Sequence, residues 1–172
     1  MATIPRTILA TFGEFIVEHN KMDYKLKSFL ASFVEDELVG HLLTASQSFE
    51  FVRKRVNSLY NHFIEPLENS DDLIERWNLL QPEIKEINEI RNDIAHSIIN
   101  LDNKTNKTIL LTRFTENSVL KFSQKDMVYD TKDLKKFVTR LKKLNRQLSN
   151  LLHSTYKRHN NIIYYSGKGL MF

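Results

Sequence analysis

Residues 83–101 read EIKEINEIRNDIAHSIINL. Together with Leu80, the positions Ile84, Ile87, Arg91, Ile94, Ile98 and Leu101 recur at steps of four and three. That spacing places side chains on one face of an α-helix, so a long amphipathic helix is expected over this stretch. Pro82 lies inside the pattern, and its missing N–H predicts a kink or a break there. The stripe contains a single charge, Arg91, at a position where burial is costly unless the charge is paired or faces a wet site.

Outward from this helix the rest of the chain is also helical. Residues 6–34 carry Phe12, Phe15, Ile16, Met22, Leu26, Phe29, Leu30 and Phe33 at helical spacing, and Glu35-Asp36-Glu37 ends the pattern. A short segment at 38–44 reads as a further helical piece. Residues 48–63 form a stripe of Phe49, Val52, Val56, Leu59, Tyr60 and Phe63, with Ser48 as N-cap and Pro66 marking the stop. Ser70-Asp71-Asp72 supplies an N-cap cluster for the helix that carries Arg91. Residues 102–106 (DNKTN) are turn-rich, and the period then changes to two. TILLTRF and VLKF, separated by Thr-Glu-Asn-Ser, predict a β-hairpin near 107–123. The last helix is expected over 131–156, with Leu134, Phe137, Val138, Leu141, Leu144, Leu148, Leu151 and Leu152 on its apolar face. The expected fold is all-α: an elongated bundle of four to five helices with a small β-hairpin insertion, forming one domain over 172 residues. The tail from Lys157 is expected to dock on the body or on a second copy, or to be flexible.

Composition narrows the chemistry. With no cysteine, thiol catalysis, disulfides, iron–sulfur clusters and cysteine-bound zinc are excluded. His19, His41, His62, His153 and His159 show no metal-ligand spacing, so no metal and no cofactor are expected. There is no Gly-rich phosphate loop and no GxSxG. The opening MATIPRTILATFGEFIVEH lacks the pattern of a secretory signal, and no apolar run reaches membrane-spanning length. A cytoplasmic protein without a membrane partner is expected. Charge is unevenly placed: residues 131–158 carry nine Lys or Arg against one Asp, a net +8 in a chain whose total is +4. Lys135, Lys136, Lys142 and Lys143 belong to that run and fit either a polyanion such as RNA or a solvated helix face.

Two readings of the Arg91 segment are open. Asn92 and His96 are four residues apart on a helix, so the amide can orient the imidazole. Arg91 and His96 are separated by roughly 140° around the axis, with Ala95 leaving room between them. An Arg and a His beside a phosphate could cleave RNA. Equally, Arg91 could pair with Glu89, Asp93 or an acid on another helix, and His96 could be a half-buried core histidine satisfied by Asn92.

The segment Arg91-Asn92-Asp93-Ile94-Ala95-His96 resembles the motif of the HEPN superfamily, the higher eukaryotes and prokaryotes nucleotide-binding domains: Arg, a polar residue, three more, then His. FGEFIVEHNKMDYKLKSFL also looks like the first helix of small bacterial members. The resemblance covers residues 6–156 and implies a helical bundle with the motif on a late core helix. It further implies a metal-independent endoribonuclease of the toxin or phage-defence kind, acting as a homodimer with paired motifs, with Arg91, Asn92 and His96 in the catalytic site. A cognate antitoxin or regulatory protein is a further expected partner. The alternative within the same resemblance is a non-catalytic helical module that binds a protein partner or a nucleotide.

Overall fold

The computed structural model describes residues 4–34, 37–67, 69–101, 108–117 and 121–166. Among them are five α-helices and one small antiparallel sheet: α1 (Arg6–Ala31), α2 (Glu37–Ala45), α3 (Phe49–Leu59), α4 (Asp71–Ala95), β1 (Ile98–Leu101), β2 (Thr108–Asn117), β3 (Lys121–Asp130) and α5 (Thr131–Ser166). The architecture is the all-α bundle with a small β insertion that the periodicity predicts.

The insertion differs from expectation in size. It has three strands in the order β1-β2-β3, not two. Ile98 pairs with Thr112 and Leu101 with Ile109, while β2 and β3 run in register from Thr108↔Asp130 to Asn117↔Lys121. The expected helix over 83–101 therefore ends at Ala95, and its last stripe positions belong to a strand. Two adjacent β-branched residues, Ile98 and Ile99, favour the extended conformation, and β2 offers a full set of backbone partners. Ile98 is accordingly exposed rather than in the core. Ile109 and Leu111 alternate into the interior and are fully buried.

Other boundaries also shift. Pro82 does not end α4, which runs through it as one element. Ser48 caps α3 as expected, its hydroxyl accepting the Phe51 N–H at 3.3 Å. Ser70 does not cap with its side chain; its hydroxyl donates to the Glu65 carbonyl at 3.1 Å. Residues Tyr60–Ile64 form a π-helical turn that extends α3. The wider turn advances the buried face by one residue, so Ile64 is buried and Phe63, an expected stripe member, is 64% exposed. Helix α5 continues ten residues past its expected end at Tyr156, to Ser166. The expectation of a docking or flexible tail concerns a segment whose end, from Gly167 on, lies outside the described residues.

The chain gathers into two compact units, residues 1–19 with 85–143 and residues 20–84 with 144–172. In the first, Phe12, Phe15, Ile87, Ile94, Ile109, Leu111, Leu134 and Leu141 are buried. The core of the second is aromatic. Tyr60 and Trp77 stack with centroids 4.8 Å apart and planes within 3°, and Phe29 lies 6.0 Å from Tyr60. Each polar end has a partner: the Tyr60 hydroxyl and Thr155 Oγ1 are 2.8 Å apart, and Trp77 Nε1–H donates to Asn57 Oδ1 at 3.0 Å. Burial pushes the Tyr60 hydroxyl far above the usual tyrosine range, against the opposing hydrogen bond to Thr155.

Helix α2 depends on one close approach. A Cβ on Gly40 would lie 2.7 Å from the Ala31 carbonyl oxygen and 2.9 Å from Ala31 Cα. Ala in a helix is favoured over Gly by about 1 kcal/mol, but a clash with backbone is not relieved by a side-chain rotation. We therefore expect Gly40→Ala to lower stability by a net amount of about 1–2 kcal/mol, as overpacking does. Urea unfolding followed by far-ultraviolet circular dichroism checks this, and an unchanged or higher midpoint would refute it.

Candidate functional site at the end of α4

The last two turns of α4 hold the residues singled out by the sequence. Ile87, Ile90 and Ile94 are buried and anchor the helix in its unit. Arg91 and Asn92 are half-buried, and Ala95 and His96 are exposed. The helix closes with the His96 N–H donating to the Asn92 carbonyl at 3.1 Å. His96 thus sits just past the end of α4, where the chain turns into β1, rather than within a continuing helix.

The side chains do not connect as expected. Asn92 Oδ1 accepts from Arg91 Nη1 at 3.2 Å and does not orient the His96 ring. The His96 backbone still closes the last helical turn on Asn92, but the Asn92 amide oxygen is taken by the neighbouring guanidinium. Arg91 Nε is buried and, among the described residues, has no hydrogen-bond partner; the same holds for Ser97 Oγ. A buried N–H or hydroxyl without a partner forgoes its hydration, so both atoms mark places where a bound polar group would be stabilising.

Asp93, next in the chain, is buried. Tyr129 on β3 has its hydroxyl raised above the usual range, first by burial and then by the Asp93 carboxylate. The Tyr129 ring meets Phe137 edge-on at 5.7 Å. Further down α4, Glu86 takes a bidentate pair of hydrogen bonds from Arg140 at 2.8 and 2.6 Å. Seven residues along α4 from Glu86 to Asp93 thus correspond to a backward step on the other side, from Arg140 to Tyr129. Helix α5 runs antiparallel to α4 here, and its first turns lie at the level of the Arg91–His96 turn.

The four lysines expected to bind RNA lie on those first turns, and all four are exposed. Two are already neutralised. Lys136 contacts Asp133 at 2.8 Å and Lys142 contacts Glu14 at 2.5 Å. These carboxylates hold each lysine above its ordinary pKa by hydrogen bonding and then by charge. Among the described residues Lys135 and Lys143 have no acidic partner. The +8 of the sequence is therefore smaller as a surface feature, and Arg140 is spent on Glu86.

Ser97 and Tyr129 were not singled out from the sequence, and Asp93 was named only as a candidate ion-pair partner of Arg91. Ser97 stands inside RNDIAHS but looks like a solvated polar residue there, and Tyr129 comes near Asp93 only through the fold. No group of three or more His, Asp or Glu among the described residues could hold a metal ion. No described helix is long and apolar enough to cross a membrane. Compared with family models, curated protein sequences and solved structures, the chain shows no match to any of the three.

The Glu86–Arg140 pair gives a prediction that does not depend on function. The Arg140 hydrogen bonds hold the Glu86 carboxyl below the usual carboxylate range, against a smaller desolvation effect. A carboxylate with a depressed folded-state pKa adds stability above its unfolded value of about 4.3 and loses it as pH falls through the folded value. Glu86→Gln is expected to cost at most about 1 kcal/mol at pH 7, the scale of an exposed pair, and less at pH 3. Thermal melts of both proteins at the two pH values test this, and a gap that widened on acidification would contradict it.

Proposed function

We propose that the chain is a metal-independent endoribonuclease of the HEPN type, of the toxin or phage-defence class, acting on RNA as a two-fold dimer. The observation that supports this most is that one helix end carries both an exposed His96 and an Arg91 whose Nε has no hydrogen-bond partner among the described residues. An imidazole open to solvent can exchange a proton with a substrate. A half-buried guanidinium is a planar fork of donors suited to phosphate oxygens.

In this reading His96 takes the proton of a ribose 2′-OH. The 2′-oxygen attacks the adjacent phosphorus, forming one P–O bond, and the bond to the 5′-oxygen breaks. Arg91 stabilises the negative charge that builds on the non-bridging oxygens of the phosphorane. The leaving 5′-oxygen needs a proton, which the partner subunit's His96 supplies, and this is the physical reason for a paired site. The products are a 2′,3′-cyclic phosphate and a 5′-hydroxyl. Asn92 positions Arg91 through its amide oxygen rather than holding the imidazole. A cytoplasmic location and a cognate antitoxin or regulatory protein belong to the same reading.

A second reading has its own observation. Arg91 is half-buried and tied to Asn92 in its own helix, as expected if the pair is structural and the chain is a non-catalytic helical module that binds a protein partner or a nucleotide. Mutation separates the two. Under the catalytic reading His96→Ala folds normally, because the ring is exposed, and cleaves RNA at least about 100-fold more slowly. Arg91→Ala loses a similar factor, and Arg91→Lys recovers only part of it, since an ammonium lacks the planar fork. Cleavage persists in chelator. A wild-type protein that leaves diverse RNAs intact, or a His96→Ala variant as active as wild type, would refute the catalytic reading.

The ion pairs on α5 refine the expected RNA contact. Neutralising a lysine that touches a single-stranded phosphate flattens the salt dependence of binding by about 0.7 in log–log slope. Lys135→Gln with Lys143→Gln is expected to flatten it by about 1.4, and Lys136→Gln with Lys142→Gln by clearly less, because Asp133 and Glu14 compete for those charges. Titrations of a labelled RNA at several salt concentrations measure both. Equal effects would show that the carboxylates release their lysines to the phosphates.

A further inference from the structure

Gly40, His41 and Ala45 tie helix α2 to α1. Gly40 lies against the Ala31 backbone, the His41 ring stacks on Tyr24 with planes within 12°, and the Ala45 carbonyl accepts from Lys27 Nζ at 3.3 Å. The leucines face the other way: Leu38, Leu42 and Leu43 are 69%, 67% and 61% exposed. Tyr24, 65% exposed, stands beside them through its stack on His41. A surface helix ordinarily turns its apolar stripe to the core. This one buries a glycine and presents its leucines to solvent. Helix α2 lies in the unit of residues 20–84 and 144–172 and shares no residue with the α4 end.

The size of this face says what can cover it. With ~100 Å² for an aliphatic side chain and ~200 Å² for an aromatic one, the three leucines and Tyr24 expose roughly 330 Å² of largely apolar surface. A standard protein–protein interface takes about 800 Å² from each partner, of which a little over half is apolar. The face of α2 thus supplies most of the apolar part of one side of such an interface, and the polar rim supplies the rest. Its chemistry narrows the partner. Residues 38–45 read LVGHLLTA and contain no Asp, Glu, Lys or Arg. The stretch offers no fixed charge for a partner of opposite charge to recognise, and no Lys or Arg to hold a phosphate.

From the exposure, the area and the missing charge we infer that the leucine face of α2 is the surface on which a second copy of this chain docks, α2 against α2 across a two-fold axis. A neutral apolar face is complementary to itself, so an isologous contact sets leucine on leucine without opposing like charges. Leu38 and Leu42 form one i, i+4 row, and Leu43 begins the next turn of the neighbouring row. Rows of this kind on two identical helices interdigitate at a crossing angle of about −50°. Tyr24 of each copy closes the edge of the contact. The inference assigns a surface to the dimer of the proposed function and takes nothing from ribonuclease chemistry.

Sedimentation velocity and site-specific cross-linking of the full-length protein test it. Wild type is expected to sediment as a dimer at micromolar concentration. Leu38→Lys with Leu42→Lys should weaken dimerisation by about 100-fold or more, because each copy then brings two charges into an apolar contact. Both positions are exposed, so the circular dichroism spectrum and the Trp77 emission should be retained. Leu42→Met, which keeps the apolar volume, should stay within about threefold of wild type. The chain has no cysteine, so one introduced thiol reports one place. Leu42→Cys should be joined to a second copy by a short bis-maleimide, while Leu79→Cys, at a position 69% exposed on α4, should be alkylated without being joined. A wild-type monomer, a dimer that persists in the double lysine variant, or equal cross-linking at both cysteines would each overturn the α2 interface. A dimer that persists would leave the paired α4 ends of the proposed ribonuclease untouched. An α2-linked dimer that leaves RNA intact would refute the ribonuclease and uphold the interface.

Discussion

After Ala95 the chain exchanges helical hydrogen bonds for strand pairing with β2, and the arrangement of the candidate site depends on that exchange. Had α4 continued to Leu101, Ile98 would have lain on the apolar stripe. Instead residues 96 and 97 form the turn between two backbone states, and His96 is left exposed there. Arg91, still inside the helix, keeps Asn92 for itself. The strand that follows brings β2 and β3 to the same place, and with them Tyr129 beside Asp93. A local competition between two ladders thus determines which polar groups meet.

Much of the helical framework was legible because helical periodicity is a local signal. The stripes of α1, α3, α4 and α5 are long enough to be read without knowing their partners, and Ser48 announces its helix by a short-range contact. The errors lie where a non-local partner decides. Ile98 and Leu101 continue the α4 stripe perfectly well by spacing, and only the presence of β2 makes them a strand. Phe63 fits the α3 stripe at seven residues from Val56, but the π-helical turn puts Ile64 in its place. At the end of α4, the approach of Tyr129 to Asp93 depends on where the helix stops. No spacing rule conveys that.

Charge shows the same division. A net +8 over residues 131–158 reads from the sequence as one basic stripe. In the fold, Glu86, Glu14 and Asp133 each meet one of its members. What these contacts add to stability is small because they are exposed. Their larger effect is on the surface potential, which they break from a continuous stripe into separate patches around Lys135 and Lys143.

The parallel stack of Tyr60 on Trp77 has a spectroscopic consequence. Trp77 is the single tryptophan of the chain and is fully buried among residues of one unit. Its indole N–H is fixed on Asn57, and its face is fixed on a phenol ring. Its emission therefore reports the packing of residues 20–84 and 144–172 and carries no direct signal from the sheet or from the end of α4. Backbone dichroism reports helix throughout the chain. The difference between the two optical signals is a built-in measure of whether the chain melts as one cooperative body or in two stages.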